Sequence, residues 1–81
     1  MIDAIVRKVN HHRGLVVFET YQGYGWFEKC TVFEFEENDE MFGDFDIYGY
    51  HDIIKKDTGE KFYVYVADCM MMPEKALRKC S

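Results

Sequence analysis

Apolar and polar residues alternate along much of the chain with a period of two, which predicts β-strands. Residues 31–36 and 62–67 alternate most clearly, as in strands that have one buried and one exposed face. Tyr63 and Tyr65 are predicted to point outward, because a phenol can reach water. The residues predicted to point into the core are Phe33, Phe35, Val64 and Val66.

Glycine and asparagine mark the predicted turns. β-Branched residues dominate residues 2–9 and 15–20, and Gly14 between them predicts a hairpin, because glycine adopts positive φ without steric cost. A second turn is predicted at residues 37–40, where Asn38 takes the left-handed conformation, and a third at residues 57–59. Residues 41–47 are a weaker strand candidate, and residues 48–51 are predicted to form a loop.

The alternation ends before the C-terminus, where a short helix is predicted over about residues 73–80. Pro73 suits the first helical turn and Glu74 the positive end of the helix dipole, whereas Arg78 and Lys79 suit its negative end. The side chains predicted to dock this helix on the sheet are Met70, Met71, Met72 and Leu77.

Short strands, glycine-marked turns and little helix predict an all-β (mainly β) fold. A chain of 81 residues forms one domain, and closing its sheet into a barrel removes exposed strand edges. We therefore predict a single domain over residues 1–81: a five-stranded antiparallel OB-like barrel over about residues 2–67, followed by the short C-terminal helix.

The chain resembles the OB-fold barrels of cold-shock proteins and of ribosomal-type RNA-binding repeats. Residues 23–27, Gly-Tyr-Gly-Trp-Phe, are similar to the stretch that carries stacking aromatics in cold-shock domains, where it lies on the second strand. Residues 37–41 resemble the turn that opens the fourth strand of such barrels, with Asn38 where glycine is usual. The resemblance implies a small RNA-binding barrel. The positions that match the repeat pattern are Ala4, Val6, Val9, Gly14, Val17 and Gly23.

Composition narrows the choice of function and location. The net charge of −5 disfavours general phosphate binding, although basic residues cluster on the first hairpin. Three cysteines without a C-x-x-C pair predict no disulfide framework: Cys30 and Cys69 are predicted to be core-compatible and Cys80 to be an exposed thiol. No apolar run approaches the roughly 20 residues that span a bilayer. We expect a reduced, cytoplasmic location without membrane contact.

The sequence carries no recognisable catalytic pattern. His11, His12 and His51 do not have the spacing of metal ligands, and neither do the cysteines. The sequence contains no nucleophile elbow, phosphate loop or dinucleotide fingerprint. We therefore predict a non-catalytic domain without metal, small-molecule cofactor or enzymatic activity.

Two binding functions fit these patterns. The first is weak binding of single-stranded RNA or DNA, with bases stacked on exposed aromatics beside basic groups. The alternative is a protein-interaction or structural module, either a homodimer or a complex with a partner, formed through surplus aromatics and the methionines at residues 70–72. Tyr21 and Lys61 are supporting candidates for the first function. Its principal candidate residues are Arg7, Lys8, Arg13, Tyr24, Trp26, Tyr63 and Tyr65.

Overall fold

The computed structural model describes residues 1–30 and 35–79 and contains six strands and one helix within them. Their bounds are β1 Ile2–Asn10, β2 Leu15–Thr20, β3 Gly23–Lys29, β4 Glu40–Gly43, β5 Gly49–Lys55, β6 Lys61–Met71 and α1 Pro73–Lys79. The alternation at residues 62–67 is part of β6, and the predicted helix corresponds to α1. Residues 31–34, which include Phe33, and residues 80–81, which include Cys80, lie outside the described part.

The strands close into a barrel in the order β1-β2-β3-β6-β5-β4. All six neighbouring pairs are antiparallel, and β1 completes the closure by pairing with both β2 and β4. The neighbours β4-β1-β2-β3 have the spatial order of a Greek key. The mainly-β, antiparallel barrel with a C-terminal helix is therefore confirmed, and it is compatible with an OB-like barrel.

The strand count is six, where five were predicted. Residues 48–51 were predicted to form a loop, yet Gly49–Lys55 forms strand β5. Tyr50 lies opposite Tyr65 on β6, and Ile53 lies opposite Gly43 on β4. Residues 49–51 pair with β6 alone, and that pairing imposes the strand conformation on a segment whose glycine-containing sequence does not favour it.

The turn before β4 fits the predicted geometry. Asn38 has φ of 74°, which is the left-handed conformation expected of it. Its backbone N–H donates to the Val6 carbonyl at 2.7 Å, and the Val6 N–H donates to the Asp39 carbonyl at 2.9 Å. These bonds attach the turn to β1 beside the register shift between Val6 and Lys8.

The barrel interior is apolar and rich in phenylalanine. Phe35, Val64 and Val66 are fully buried, as predicted. The ring centroids of Phe18 and Phe45 lie 4.8 Å apart and those of Phe27 and Phe35 5.3 Å apart, within the usual range for aromatic packing. Among the residues described, no polar or charged side chain is classed as buried.

A second apolar cluster lies outside the barrel, between α1 and the outer faces of β2 and β3. Ala76 of α1 is fully buried there, and Leu77 and Met71 pack against the same cluster. Met70 and Met72 are exposed, so only part of the methionine run docks the helix as predicted. The residues that β2 and β3 contribute are Leu15, Val17, Tyr24 and Trp26.

The two described cysteines occupy different environments. Cys69 is buried in the core, as predicted. Cys30 is exposed, so its prediction as a core residue was wrong. It follows Lys29, the last residue of β3, where the chain leaves the strand and its side chain no longer faces the interior.

Gly25 lies where the β3 backbone comes close to both β6 and the ring of Phe18. A Cβ atom there would lie 2.4 Å from the Asp68 carbonyl oxygen and 2.5 Å from Cζ of Phe18. We expect Gly25→Ala to lower the free energy of unfolding by about 3 kcal/mol or more, because backbone and core ring must both shift. Urea denaturation followed by circular dichroism measures this loss.

Gly59→Ala is the matched control. Gly59 has open space around it, so alanine there meets only the strain of φ at 74°, which costs roughly 1–2 kcal/mol. Equal losses for the two variants would contradict the close approach at Gly25.

Candidate nucleic-acid interface

Three tyrosines form a continuous aromatic surface on the outside of β5 and β6. We call Tyr50, Tyr63 and Tyr65 the tyrosine face. Tyr50 lies directly opposite Tyr65 in the strand register, with ring centroids 4.9 Å apart. Tyr50 also stacks on Tyr63, at 5.5 Å and an interplanar angle of 7°. The exposed fractions are 61% for Tyr50, 46% for Tyr63 and 37% for Tyr65, so the predicted outward orientation of Tyr63 and Tyr65 is confirmed.

The charges immediately beside the tyrosine face are mostly negative. Asp52 on β5 lies opposite Tyr63, and Glu28 on β3 lies opposite Tyr65. Both carboxylates belong to exposed residues. Lys61, also exposed, is the first residue of β6 and lies two residues before Tyr63 on the same outer face. Phosphate groups are therefore not favoured directly over the rings, whereas uncharged base surfaces are.

Two of the basic residues predicted to bind nucleic acid, Arg7 and Lys8, lie on the far side of the barrel from the tyrosine face. Both belong to β1, which is three strands away from β6 in either direction around the closed sheet. Arg7 is also engaged: Nε donates to Oε1 of Glu19 at 2.8 Å, and Nη1 donates to Oδ1 of Asn38 at 3.2 Å. The structure therefore does not bring these cations together with Tyr63 and Tyr65.

The third basic residue predicted to bind nucleic acid is Arg13, which lies in the exposed turn between β1 and β2. Its backbone N–H donates to Oδ1 of Asn10 at 3.1 Å. The Gly14 carbonyl of the same turn accepts from the Lys29 N–H at 3.0 Å, which places the turn at the barrel end where β3 finishes.

Tyr24 and Trp26 lie on the outer face of β3, beneath α1, and both are half-buried. Nε1 of Trp26 is buried without a hydrogen-bond partner. Trp26 lies opposite Asp68 on β6, away from the tyrosine face. These two aromatics help to hold the helix and do not extend the tyrosine face. The sequence did hint at this burial, because the apolar side of the predicted helix must pack against apolar or aromatic residues of the sheet.

A groove of about 510 Å³ separates α1 from β6, and we call it the α1–β6 groove. Sequence reasoning did not identify it as a site. It carries three positive charges and one negative charge, and its lining residues are Asp68, Met71, Lys75, Arg78 and Lys79. Asp68 is held in place because its Oδ1 accepts from the Tyr48 hydroxyl at 3.4 Å and from the Cys69 N–H at 2.9 Å.

The ionisable neighbours of Asp68 stay neutral. Proximity to Cys69, and then to the Asp68 carboxylate, raises the pKa of the Tyr48 phenol. Burial raises the pKa of the Cys69 thiol, with Asp68 and Asp46 adding to the effect against a hydrogen bond from Tyr48 that lowers it. The Tyr48 phenol and the Cys69 thiol are therefore both neutral at pH 7.

In residues 1–30 and 35–79, the histidines do not come together with other possible ligands to form a metal site. No group of three or more His, Cys, Asp or Glu side chains is arranged there to hold a metal ion. Nε2 of His51 lies 3.0 Å from the Ile47 carbonyl oxygen and 3.2 Å from that of Tyr48. No helix in these residues is both long and apolar enough to cross a membrane.

Comparison with known proteins identified no relatives: the chain matches no protein-family profile, no curated protein and no solved structure.

Proposed function

We propose that this barrel binds single-stranded nucleic acid by stacking bases on the tyrosine face. One observation carries the proposal: the rings of Tyr63 and Tyr65 both contact the ring of Tyr50, yet all three side chains remain between 37% and 61% exposed. Base–aromatic stacking contributes roughly 1–3 kcal/mol per base and tolerates any sequence, because every base has a π-face. No catalytic role is proposed.

The acidic surroundings favour single strands over duplexes. Asp52 and Glu28 flank the rings, and the chain carries a net charge of −5. A duplex keeps its bases stacked inside and presents its phosphates, which these carboxylates repel. A single strand can turn its bases toward the tyrosines and its phosphates away from them. We therefore propose a weak, base-facing mode of binding to RNA or DNA.

Fluorescence anisotropy of labelled strands of about eight nucleotides tests this proposal, a length within the usual site size of a small barrel. At about 50 mM salt, oligouridylate and oligothymidylate should bind with dissociation constants of roughly 10⁻⁴–10⁻⁶ M, the range of non-specific nucleic-acid binding. A nucleic-acid duplex of about eight base pairs should bind at least about ten-fold more weakly. Equal affinity for duplex and single strand, or no binding at the upper end of this range, would refute the proposal.

Self-association is a second candidate function, and the observation that favours it is at the end of β6. Met70 is 61% exposed and Met72 is 63% exposed, although both are large apolar side chains. Methionine adapts its shape to a partner surface and is enriched at interfaces. Under this candidate, sedimentation velocity shows a dimer at high protein concentration that a Met70→Ser, Met72→Ser variant loses. A monomer at every concentration rules it out.

A further inference from the structure

We infer that the α1–β6 groove is the phosphate-binding part of the same interface, and that it holds the backbone of a single strand whose bases stack on the tyrosine face. This inference rests on the proposed function. Three cations, Lys75, Arg78 and Lys79, line one side of the groove. Cationic side chains supply most of the affinity for nucleic-acid phosphates, so this groove is the feature that the tyrosine face lacks.

The position of these cations on α1 is the first support. Lys75, Arg78 and Lys79 stand at i, i+3 and i+4, so they share one side of the helix, while Ala76 and Leu77 pack against the sheet. Complementing the helix dipole accounts for Arg78 and Lys79, which lie in the last turn, but not for Lys75. Like charges at i and i+4 destabilise a helix. A bound phosphate would remove that repulsion between Lys75 and Lys79.

The second support is the state of the other cations. Arg7 pairs with Glu19, Lys55 with Asp39 and Lys56 with Asp3. In the described part of the chain, no carboxylate forms an ion pair with Lys75, Arg78 or Lys79. Lys8, Arg13 and Lys61 form no ion pair in the described residues either, but only Lys75, Arg78 and Lys79 come together around a groove of about 510 Å³.

The groove also lies within reach of a nucleic-acid strand whose bases stack on the tyrosine face. Asp68, on the groove wall, is three residues beyond Tyr65 along β6, which is about 10 Å at the rise of a β-strand. Tyr48, whose hydroxyl donates to Asp68, precedes Tyr50 of the tyrosine face by two residues. A strand of a few nucleotides can therefore place bases on the rings and phosphates beside α1.

The carboxylate in the groove sets the orientation of the bound strand. The Asp68 carboxylate is fixed on β6 by hydrogen bonds from the Tyr48 hydroxyl and the Cys69 N–H. It repels phosphate from the β6 wall, while the three cations attract phosphate to the α1 wall. The backbone is thus expected to follow α1, with the bases on the β6 side of the groove.

The test compares two charge-matched variants in the anisotropy titration of labelled oligouridylate. The groove variant, Lys75→Gln with Arg78→Gln, and the hairpin variant, Lys8→Gln with Arg13→Gln, each lose one lysine and one arginine. For single strands the slope of log K against log salt is about 0.7 per neutralised phosphate, so the groove variant should lose about 1.4 from it. At about 0.1 M salt this corresponds to roughly ten- to thirty-fold weaker binding. The hairpin variant should keep the wild-type slope.

The outcomes separate this inference from the proposed function. If the wild-type protein binds single strands but the groove variant keeps its slope, or if both variants lose the same slope, the groove is not the phosphate site and the proposed function stands. If the wild-type protein binds no single strand at low salt, both are wrong. Melting temperatures of the two variants near that of the wild type show that exposed side chains were changed without unfolding α1.

Discussion

Replacing Val64 with aspartate is expected to unfold the barrel. Val64 is fully buried on β6, where it lies opposite Lys29 of β3 and His51 of β5, and it belongs to the main apolar core. A carboxylate at this position loses its hydration inside an apolar core, which costs several kcal/mol even after relaxation. A domain of this length is stabilised by about 4–12 kcal/mol, at roughly 0.05–0.15 kcal/mol per residue. The far-ultraviolet circular dichroism of the variant should therefore show an unfolded chain, or its melting temperature should fall by tens of degrees.

Tyr63→Asp is the control, because it places the same side chain one residue earlier on the outer face. Tyr63 is 46% exposed, so the new carboxylate stays hydrated. Its cost is the ring contact with Tyr50 and the repulsion from Asp52 across the strands, roughly 1–2 kcal/mol together. A folded Val64→Asp protein with a melting temperature at or above that of Tyr63→Asp would mean that the faces of β6 are assigned the wrong way round.

Removing the three rings of the tyrosine face is expected to weaken the binding of single strands by at least about thirty-fold. In a Tyr50→Leu, Tyr63→Leu, Tyr65→Leu variant the apolar surface remains but the aromatic surface is gone. With two stacked bases at roughly 1–3 kcal/mol each, the dissociation constant should rise at least about thirty-fold. The measurement is the anisotropy titration with oligouridylate, accompanied by a melting curve, because the lost ring pairs also lower stability by roughly 0.5–1.5 kcal/mol each.

Two control variants distinguish stacking from other effects. Replacing the same three residues with phenylalanine keeps the rings and removes only the hydroxyls, so binding should stay close to that of the wild type. Tyr21→Leu changes a tyrosine that is 81% exposed but lies in the turn between β2 and β3, outside the tyrosine face. Binding lost equally in Tyr21→Leu, or kept in the triple leucine variant, would contradict stacking on this face.

Local patterns were sufficient to predict several parts of the fold. Alternation on β6 placed Val64 and Val66 inside and Tyr63 and Tyr65 outside, because strand geometry alone determines the face. Asn38 has the left-handed φ that its turn requires, since that preference is local too. The helix α1 also followed from its own sequence, with proline at its start and basic residues at its end.

Features that depend on distant partners were not predictable in this way. The segment around Tyr50 looks like a loop by composition, and it becomes a strand because β6 pairs with it. β6 continues to Met71, beyond the predicted end at residue 67, through register shifts against β3 and a positive φ of 55° at Met70. A bulge of this kind leaves no periodic signal in the sequence.

The candidate site shows the same division between local and distant effects. The exposure of Tyr63 and Tyr65 followed from alternation. Their partner Tyr50 was not predicted as a site residue, because its segment was predicted to be a loop and not a strand. The cations of the first hairpin were close in sequence to each other, not to the tyrosines, and barrel closure places Arg7 and Lys8 on the opposite wall. Arg78 and Lys79 of the groove were interpreted only as complements of the helix dipole and Lys75 was assigned no role, because nothing local shows which strand the helix packs beside.

Nuclear magnetic resonance mapping of the binding surface tests the central claim most directly. Unlabelled oligouridylate of about eight nucleotides would be added to isotope-labelled protein, and amide and aromatic-ring shifts would be followed residue by residue. The account predicts concentration-dependent shifts of the ring resonances of Tyr50, Tyr63 and Tyr65 and of amides along β6 toward Asp68, with the amides of Arg7 and Lys8 unmoved. Shifts confined to β1 and its hairpin, or to the exposed methionines at the end of β6, would contradict it.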